Sequence, residues 1–405
     1  MVLSVFQSIG RYRRLLVGLL ATASSSSTKQ KSRSPKLFTY QRRLPPLERL
    51  PAVSASVSPV SDQTGKTKQV LPPPPNASYA NSIGVVYTND VDVAFRWAQK
   101  HLWSDTEAPK ILGWDMESSP RLPWRESSYG SDTHFGPATI QLSTPTDSMV
   151  FQIAQDGFGP IHETTGLPGF LHDILDDPNL IKTGVGIDED MVELYRWCRG
   201  IGVEEERLSW ATRGGVDTGV ADRPVEPPLR RFDLGGIGSS KPGGTIGLAR
   251  LVAGILGVGI PKSSKLARSH WSAAPLRARE VDYAARDAWA AAAVLHRLCE
   301  LDPSRFSPIS ILQRLAELEG SKGTKNRIRP IGEVSDRAVQ RKAVKLEWKA
   351  LKPPRRRNED GIEVPQTTTE ADTERLGILA EQMKALAPMQ PIPYEIEESL
   401  GVKIP

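Results

Sequence analysis

Two carboxylates, Asp115 and Glu117, stand two residues apart in the run Ile111-Leu-Gly-Trp-Asp-Met-Glu117. The apolar entry reads as a strand. Alternate residues of a strand share a face, so the two acids point the same way. Side by side they repel and raise each other's pKa unless a cation lies between them. The motif is therefore either a solvated strand edge or part of a cation site. Further acids bear on that choice. Val185-Gly-Ile-Asp-Glu-Asp190 reads as a strand turning into a helix, with Asp188 as the cap and Asp190 facing back over the strand ends. Three acids there also suit the helix dipole with no further role. Asp282-Tyr283-Ala-Ala-Arg-Asp287 lies in an alanine-rich helix, where Tyr283 and Asp287 share a face at i, i+4. The alanines let that backbone approach a sheet. The plainer alternative is a core tyrosine, with Asp287 paired to Arg286 or Arg279.

The elements that must position these residues are legible from hydrophobic period. Ile83–Tyr87 is a β-branched run, followed by Thr88-Asn-Asp90 as a cap and a helix through 91–98. The Asp-x-Glu strand opens a meander continued by 138–143 and, after the turn at 145–147, by 149–153. A short helix at 169–175, a buried-type strand at 180–187 and a helix at 188–197 follow, the last with Met191, Leu194, Tyr195 and Cys198 on one face. Residues 118–137 read as a long loop and 200–230 as an insertion. Order resumes at 231–234, then a helix at 245–256, a basic loop at 257–276 and a long helix at 276–301. A meander followed by alternating helices and strands makes 82–301 an α/β domain.

The chain's 405 residues leave room for more. The formal charge is +5, but residues 1–47 hold nine Lys/Arg and no acid, so the remainder is net −4 and the basic pI does not itself argue for nucleic acid. An Arg-rich, Ser-rich, acid-free start reads as a mitochondrial targeting segment, with a secretory signal or a basic arm of a nuclear protein as the alternatives. Residues 24–80 have the composition of a linker with too few apolar anchors to pack, which sets the divisions at 1–47 and 48–81. Two cysteines exclude a disulfide framework and a cysteine-built zinc site. No stretch approaches the length of a membrane span. Residues 302–405 form a charged extension without a strand pattern, expected to be partly helical or disordered. Residues 322–357 are net +10 and 358–400 net −8, so the two blocks could fold back on each other.

Asp-x-Glu on a first strand, Gly-Ile-x-x-Asp at a strand-to-helix turn and Tyr-x-x-x-Asp on a late helix, in that order, resemble the three exonuclease motifs of the DEDD superfamily. The tyrosine makes the resemblance to the y-type, and Ser269-His-Trp271-Ser and Pro275-Leu strengthen the likeness to the Werner-type exonuclease and ribonuclease D families. The resemblance covers 82–301. It implies a ribonuclease-H-like fold, a mixed central sheet flanked by helices, and metal-dependent 3′-5′ hydrolysis of DNA or RNA ends. Two divalent cations, Mg²⁺ or Mn²⁺, would supply the nucleophilic water, neutralise phosphate oxygens and stabilise the leaving alkoxide, chemistry that suits hard oxygen ligands. By resemblance Asp115 bridges both ions, Glu117 and Asp287 complete one site, Asp190 acts from the other, and Tyr283 orients the water. Lys262, Lys265, Arg268 and Trp271 of the basic loop are candidates for substrate phosphates and base stacking, Trp271 being equally readable as a core plug. A catalytically silent nucleic-acid-binding module on the same fold is the alternative function. The extension 302–405 is a candidate arm for a protein partner or for added nucleic-acid affinity, and no membrane role is expected.

Overall fold

The computed structural model describes residues 36–48, 50, 82–104, 109–118, 136–155, 159–160, 167–212, 230–237, 245–320, 329–351, 356–357, 363–364 and 369–386. The targeting reading of 1–35, the linker at 51–81 and most of the 118–137 loop and 200–230 insertion lie outside them.

A mixed seven-stranded sheet forms the centre. Its strands are β1 (Thr39–Leu44), β2 (Ile83–Thr88), β3 (Lys110–Ser118), β4 (Pro137–Ser143), β5 (Asp147–Gln152), β6 (Leu180–Gly184) and β7 (Arg231–Asp233), in the order β1-β2-β5-β4-β3-β6-β7. β3, β4 and β5 are the antiparallel meander, while β2 joins β5, β6 joins β3 and β7 joins β6 in parallel. Parallel neighbours need crossovers, supplied here by helices. They are α1 (Val91–His101), α2 (Gly169–Asp176) and α3 (Ile187–Gly200) on one face and α4 (Ala278–Leu301) on the other. Asp90 caps α1 as expected, its Oδ1 accepting from the Asp92 amide at 2.9 Å.

Strand alternation sorts β3 between the two cores. Leu112, Trp114 and Met116 enter the α1–α3 side, which leaves Gly113, Asp115 and Glu117 facing α4. α4 lies close because alanines line it and Gly113 opposes it: a Cβ on Gly113 would stand 2.0 Å from the Ala288 carbonyl oxygen. Hydrogen bonds fix the helix in place. Ser148 Oγ donates to the Ala285 carbonyl at 3.1 Å and Trp289 Nε1 to the Pro145 carbonyl at 2.8 Å. Ahead of α4, the Leu276 amide donates to the Tyr87 hydroxyl, which donates to Gln152, whose amide donates to the Trp271 carbonyl, each at 2.8 Å. Buried polar groups so joined set a single arrangement of loop and helix.

The expectation that residues 24–80 do not pack fails at 36–48 and at Leu50. Thr39–Leu44 pairs antiparallel with β2, Leu44 is fully buried, and the Phe38 and Tyr87 rings lie 4.9 Å apart. Beyond the strand, the Pro45 carbonyl accepts from Arg286 and the Leu50 amide donates to the Gly257 carbonyl. Few anchors suffice where an open sheet edge supplies the backbone partners. The insertion reading also shrinks, since Leu208 and Trp210 are buried beside a helical turn at Ser209–Thr212.

Past α4 the extension holds α5 (Pro308–Gly320), α6 (Ile331–Leu351) and α7 (Glu370–Ala385), and Arg356–Arg357 pairs antiparallel with Glu363–Val364 against the expectation of no strand there. α6 and α7 do pack together. Their ion pair runs against the sign of the blocks: Arg375 of the acidic segment meets Glu347 of the basic one at 2.5 Å.

Candidate active site

β3 presents Asp115 and Glu117 toward α4, and α4 presents Asp287. Carboxylate oxygens of these three residues lie within 4.8 Å of one another, a spacing at which one cation can meet all of them. The ladder shifts register between Glu117 and Ser118, a bulge of the kind that re-aims a side chain. Just past it, the Ser118 hydroxyl donates to Glu193 on α3 at 2.5 Å.

Asp190 arrives on the first turn of α3. It stands outside the group of three, yet its charge acts on Glu117, and Asp115 acts on it in turn. The turn that delivers it differs from expectation. Asp188 does not cap α3; the N-cap is Gly186 at φ 77°, a left-handed conformation that favours glycine. Asp188 instead pairs with Arg231 on β7. The work of holding the turn falls to Asp233, whose Oδ1 accepts from the Gly186 amide at 3.1 Å and the Gly235 amide at 2.7 Å. Burial pushes its carboxyl up to about 6, the two amides pulling the other way. The sequence signal for it was weak: one acid at the end of a three-residue strand.

Tyr283 lies one turn before Asp287 and its hydroxyl hydrogen-bonds that carboxylate. Burial and the surrounding acids push the phenol well above its usual range, so it stays protonated at neutral pH. Lys262 donates to Asp287 Oδ2 at 2.6 Å, and its ammonium lies 5.3 Å from the Tyr283 ring centroid. It thus occupies the mouth of the acidic cluster and pairs with a carboxylate there. Lys265, within a helical turn at Ser264–Ala267, and Arg268, just after it, are exposed. Trp271 is not available to stack on a base. It is fully buried in the α4-side core, and its ring packs 6.1 Å from Tyr283, so it backs that tyrosine from within.

The electrostatics are those of like charges buried side by side. Burial first, then Asp287, pushes Asp115 up to about 8 despite Lys262. Burial, with Asp115, Asp287 and Asp190, pushes Glu117 up to about 10. Burial chiefly raises Asp190 and Asp287 too, Lys262 opposing it at Asp287. Buried like charges at this spacing hold protons or a cation. Hard oxygen donors without thiolate or imidazole fit Mg²⁺ or Mn²⁺. Cys198, the nearest candidate soft ligand on α3, is fully buried and its thiol is pushed up to about 12.

Residues 106–301 match the model of a family described as 3′-5′ exonuclease. A 3′-5′ exonuclease of Arabidopsis thaliana is 29% identical over 128 residues, covering 31% of this chain and 35% of that protein. A putative 3′-5′ exonuclease of Acanthamoeba polyphaga mimivirus, R431, is 22% identical over 250 residues, covering 61% of this chain and 54% of its own. The chain thus spans about a third to a half of the length of these curated relatives. Among solved structures, the Aedes aegypti Nibbler EXO domain aligns with a TM-score of 0.38 at 15% identity, covering 56% of this chain and 93% of that one. The mixed sheet flanked by helices is the α/β arrangement expected of 82–301, with β1 added to its edge from outside that range.

Proposed function

We propose that the chain, whose residues 106–301 match the model of a family described as 3′-5′ exonuclease, hydrolyses phosphodiester bonds from the 3′ end of a nucleic acid with the aid of two divalent cations. The observation that carries the proposal is the group of three carboxylates, Asp115, Glu117 and Asp287, with oxygens within 4.8 Å and with raised proton affinities in the two β3 acids. When bound, Mg²⁺ or Mn²⁺ at such a cluster supplies a nucleophilic water and neutralises phosphate charge. The chain's own residues do the rest. Asp115 and Glu117 stand on a rigid sheet, and Asp287 is held against them by the Gly113 contact. Asp190 adds a fourth acid from α3. Tyr283, protonated at neutral pH, orients a water by hydrogen bonding rather than taking its proton. Lys262 is within reach of a phosphate bound at Asp287, and Lys265 and Arg268 extend that positive rim.

The test compares matched DNA and RNA oligonucleotides, wild type against Asp115→Ala, with Mg²⁺ or Mn²⁺. Mononucleotide release by wild type alone supports the reading and identifies the sugar. Binding without cleavage by either protein favours the silent module. We further assign the chain to mitochondria, with the nucleus as the alternative, on the acid-free, arginine-bearing segment 1–47. The pairing of Thr39–Leu44 with β2 supports a leader confined to residues 1–35. Imaging of fusions with and without residues 1–35 decides the compartment.

A further inference from the structure

α6 leaves the catalytic domain beside the turn that carries Asp190. Arg231 pairs with Asp188 and also donates to the Arg329 carbonyl at 2.9 Å, two residues before α6. The first turns of α6 then dock on α3. Ile331, Gly332 and Ser335 are buried, Gly332 lies against Tyr195, and Arg196 donates to the Ser335 hydroxyl at 2.9 Å and its carbonyl at 3.0 Å. Tyr195 is five residues beyond Asp190, about 8 Å along the α3 axis. The helix continues for 21 residues, so it extends roughly 30 Å from that anchor.

Its faces have separate tasks. One side meets α7, through Glu347–Arg375 and through Arg337, which donates to the Ala385 carbonyl at 2.5 Å. Another side carries Arg341, Lys342, Lys345 and Lys349. At about 100° per residue these four fall within an arc of roughly 100°, and this arc continues the side by which Ile331 and Val334 meet the domain. Lys342, Lys345 and Lys349 are exposed, Arg341 half-exposed, and none has an ion pair among the described residues. Among the described residues the acidic block gives these four no ion pair, and the α6–α7 pair uses the minority charges.

We propose that this arc is a track for the phosphate backbone of the substrate strand as it leaves the active site, a sequence-independent contact supplied by α6. The inference rests on the exonuclease reading for the identity of its ligand. Its occupant is fixed by charge: four cations in a row, beginning about 15 Å along α6 from its anchor on the helix that carries Asp190, complement a polyanion whose end lies at the acidic site. Exposed cations of this kind hold phosphates by counterion release and read no base.

The experiment measures binding of a fluorescent single strand by full-length Asp115→Ala protein, without divalent cation, across a salt series. The same protein carrying Arg341→Gln, Lys342→Gln, Lys345→Gln and Lys349→Gln is compared. Each lost phosphate contact lowers the slope of log affinity on log salt by about 0.7 on a single strand, so four lower it by about 3. On dilution from about 200 to 50 mM salt the variant then gains roughly fifty-fold less affinity than its parent. A second variant, Lys342→Arg with Lys345→Arg and Lys349→Arg, keeps the charge and keeps the slope. The four Gln substitutions, placed in Asp115-intact protein, leave hydrolysis of a dinucleotide unchanged, because so short a substrate does not reach α6. An unchanged slope in the Gln variant, or a lost slope in the Arg variant, overturns the proposal and returns the arm to the role of a protein-docking element. If the Asp115-intact parent cleaves nothing, the site reading falls while the binding series still judges the track.

Discussion

Gly113→Ala puts the account of the site under strain at its tightest contact. The added methyl would sit 2.0 Å from the Ala288 carbonyl oxygen and 3.0 Å from the Ala292 nitrogen, both backbone atoms of α4. Carbon and oxygen tolerate about 3.3 Å, so helix and strand must part by roughly 1.3 Å. No side chain can swing aside to relieve this, and α4 is tied to the sheet by Ser148 and Trp289. Overpacking of this kind costs about 1–3 kcal/mol, which for a domain of this size lowers Tm by about 6 °C. The catalytic loss is larger. Asp287 sits next to Ala288 and moves with it, away from Asp115 and Glu117. A misplacement of about 1 Å costs on the order of a hundredfold in rate. The assay is mononucleotide release at saturating Mn²⁺, with thermal unfolding in parallel. Gly169→Ala, where an added methyl meets nothing within 4 Å, serves as the control and keeps wild-type values. A Gly113→Ala protein with wild-type rate and Tm would refute the claim that this close approach positions the acids.

Other consequences follow from single contacts. Lys262→Met removes the cation beside Asp287; a partly exposed pair of this kind is worth about 1–2 kcal/mol, so the metal-free Tm falls while calorimetry shows Mn²⁺ binding several-fold tighter. Lys182 is fully buried and donates to the Leu175 and Asp177 carbonyls, and burial pushes it down to about 7. Between about pH 7 and the ordinary lysine value the unfolded chain therefore binds the proton that the folded chain has lost, and stability climbs with pH by at most about 1.4 kcal/mol per unit. Urea unfolding at about pH 7.5 and 9.5 should show wild type gaining on Lys182→Met. Removing residues 1–50, against a control lacking only 1–35, strips β1 from the sheet and Leu44 from the core; burial of that side chain alone is worth about 1.5–3 kcal/mol, and the calorimetric Tm drops by several degrees.

The acids of the site were legible because their signals are local: alternation on β3, a glycine before the α3 turn, and the i, i+4 pair on α4. The close approach of α4 was also legible in its alanines, whose partner proved to be Gly113. What stayed hidden was set by partners distant in sequence. Thr39–Leu44 reads as a polar, arginine-bearing stretch until β2 offers it an edge some forty residues later. Asp188 reads as the cap until Arg231 and Asp233 on β7 divide the work differently. Lys262 and Trp271 share one basic loop, yet one turns to Asp287 and the other into the core. Spacing within a loop carries no periodicity from which to tell the two apart.

The central claim is that the acid cluster formed by β3, α3 and α4 hydrolyses nucleic acid from its 3′ end with divalent cations. It is tested most directly by following a 5′-labelled strand with Mn²⁺, its 3′ terminus either free or capped, in wild type and Asp115→Ala. Wild type should give a ladder that shortens from the free 3′ end and none from the capped strand, and the variant should give none. Internal cleavage of the capped strand, or a ladder that survives Asp115→Ala, would contradict it.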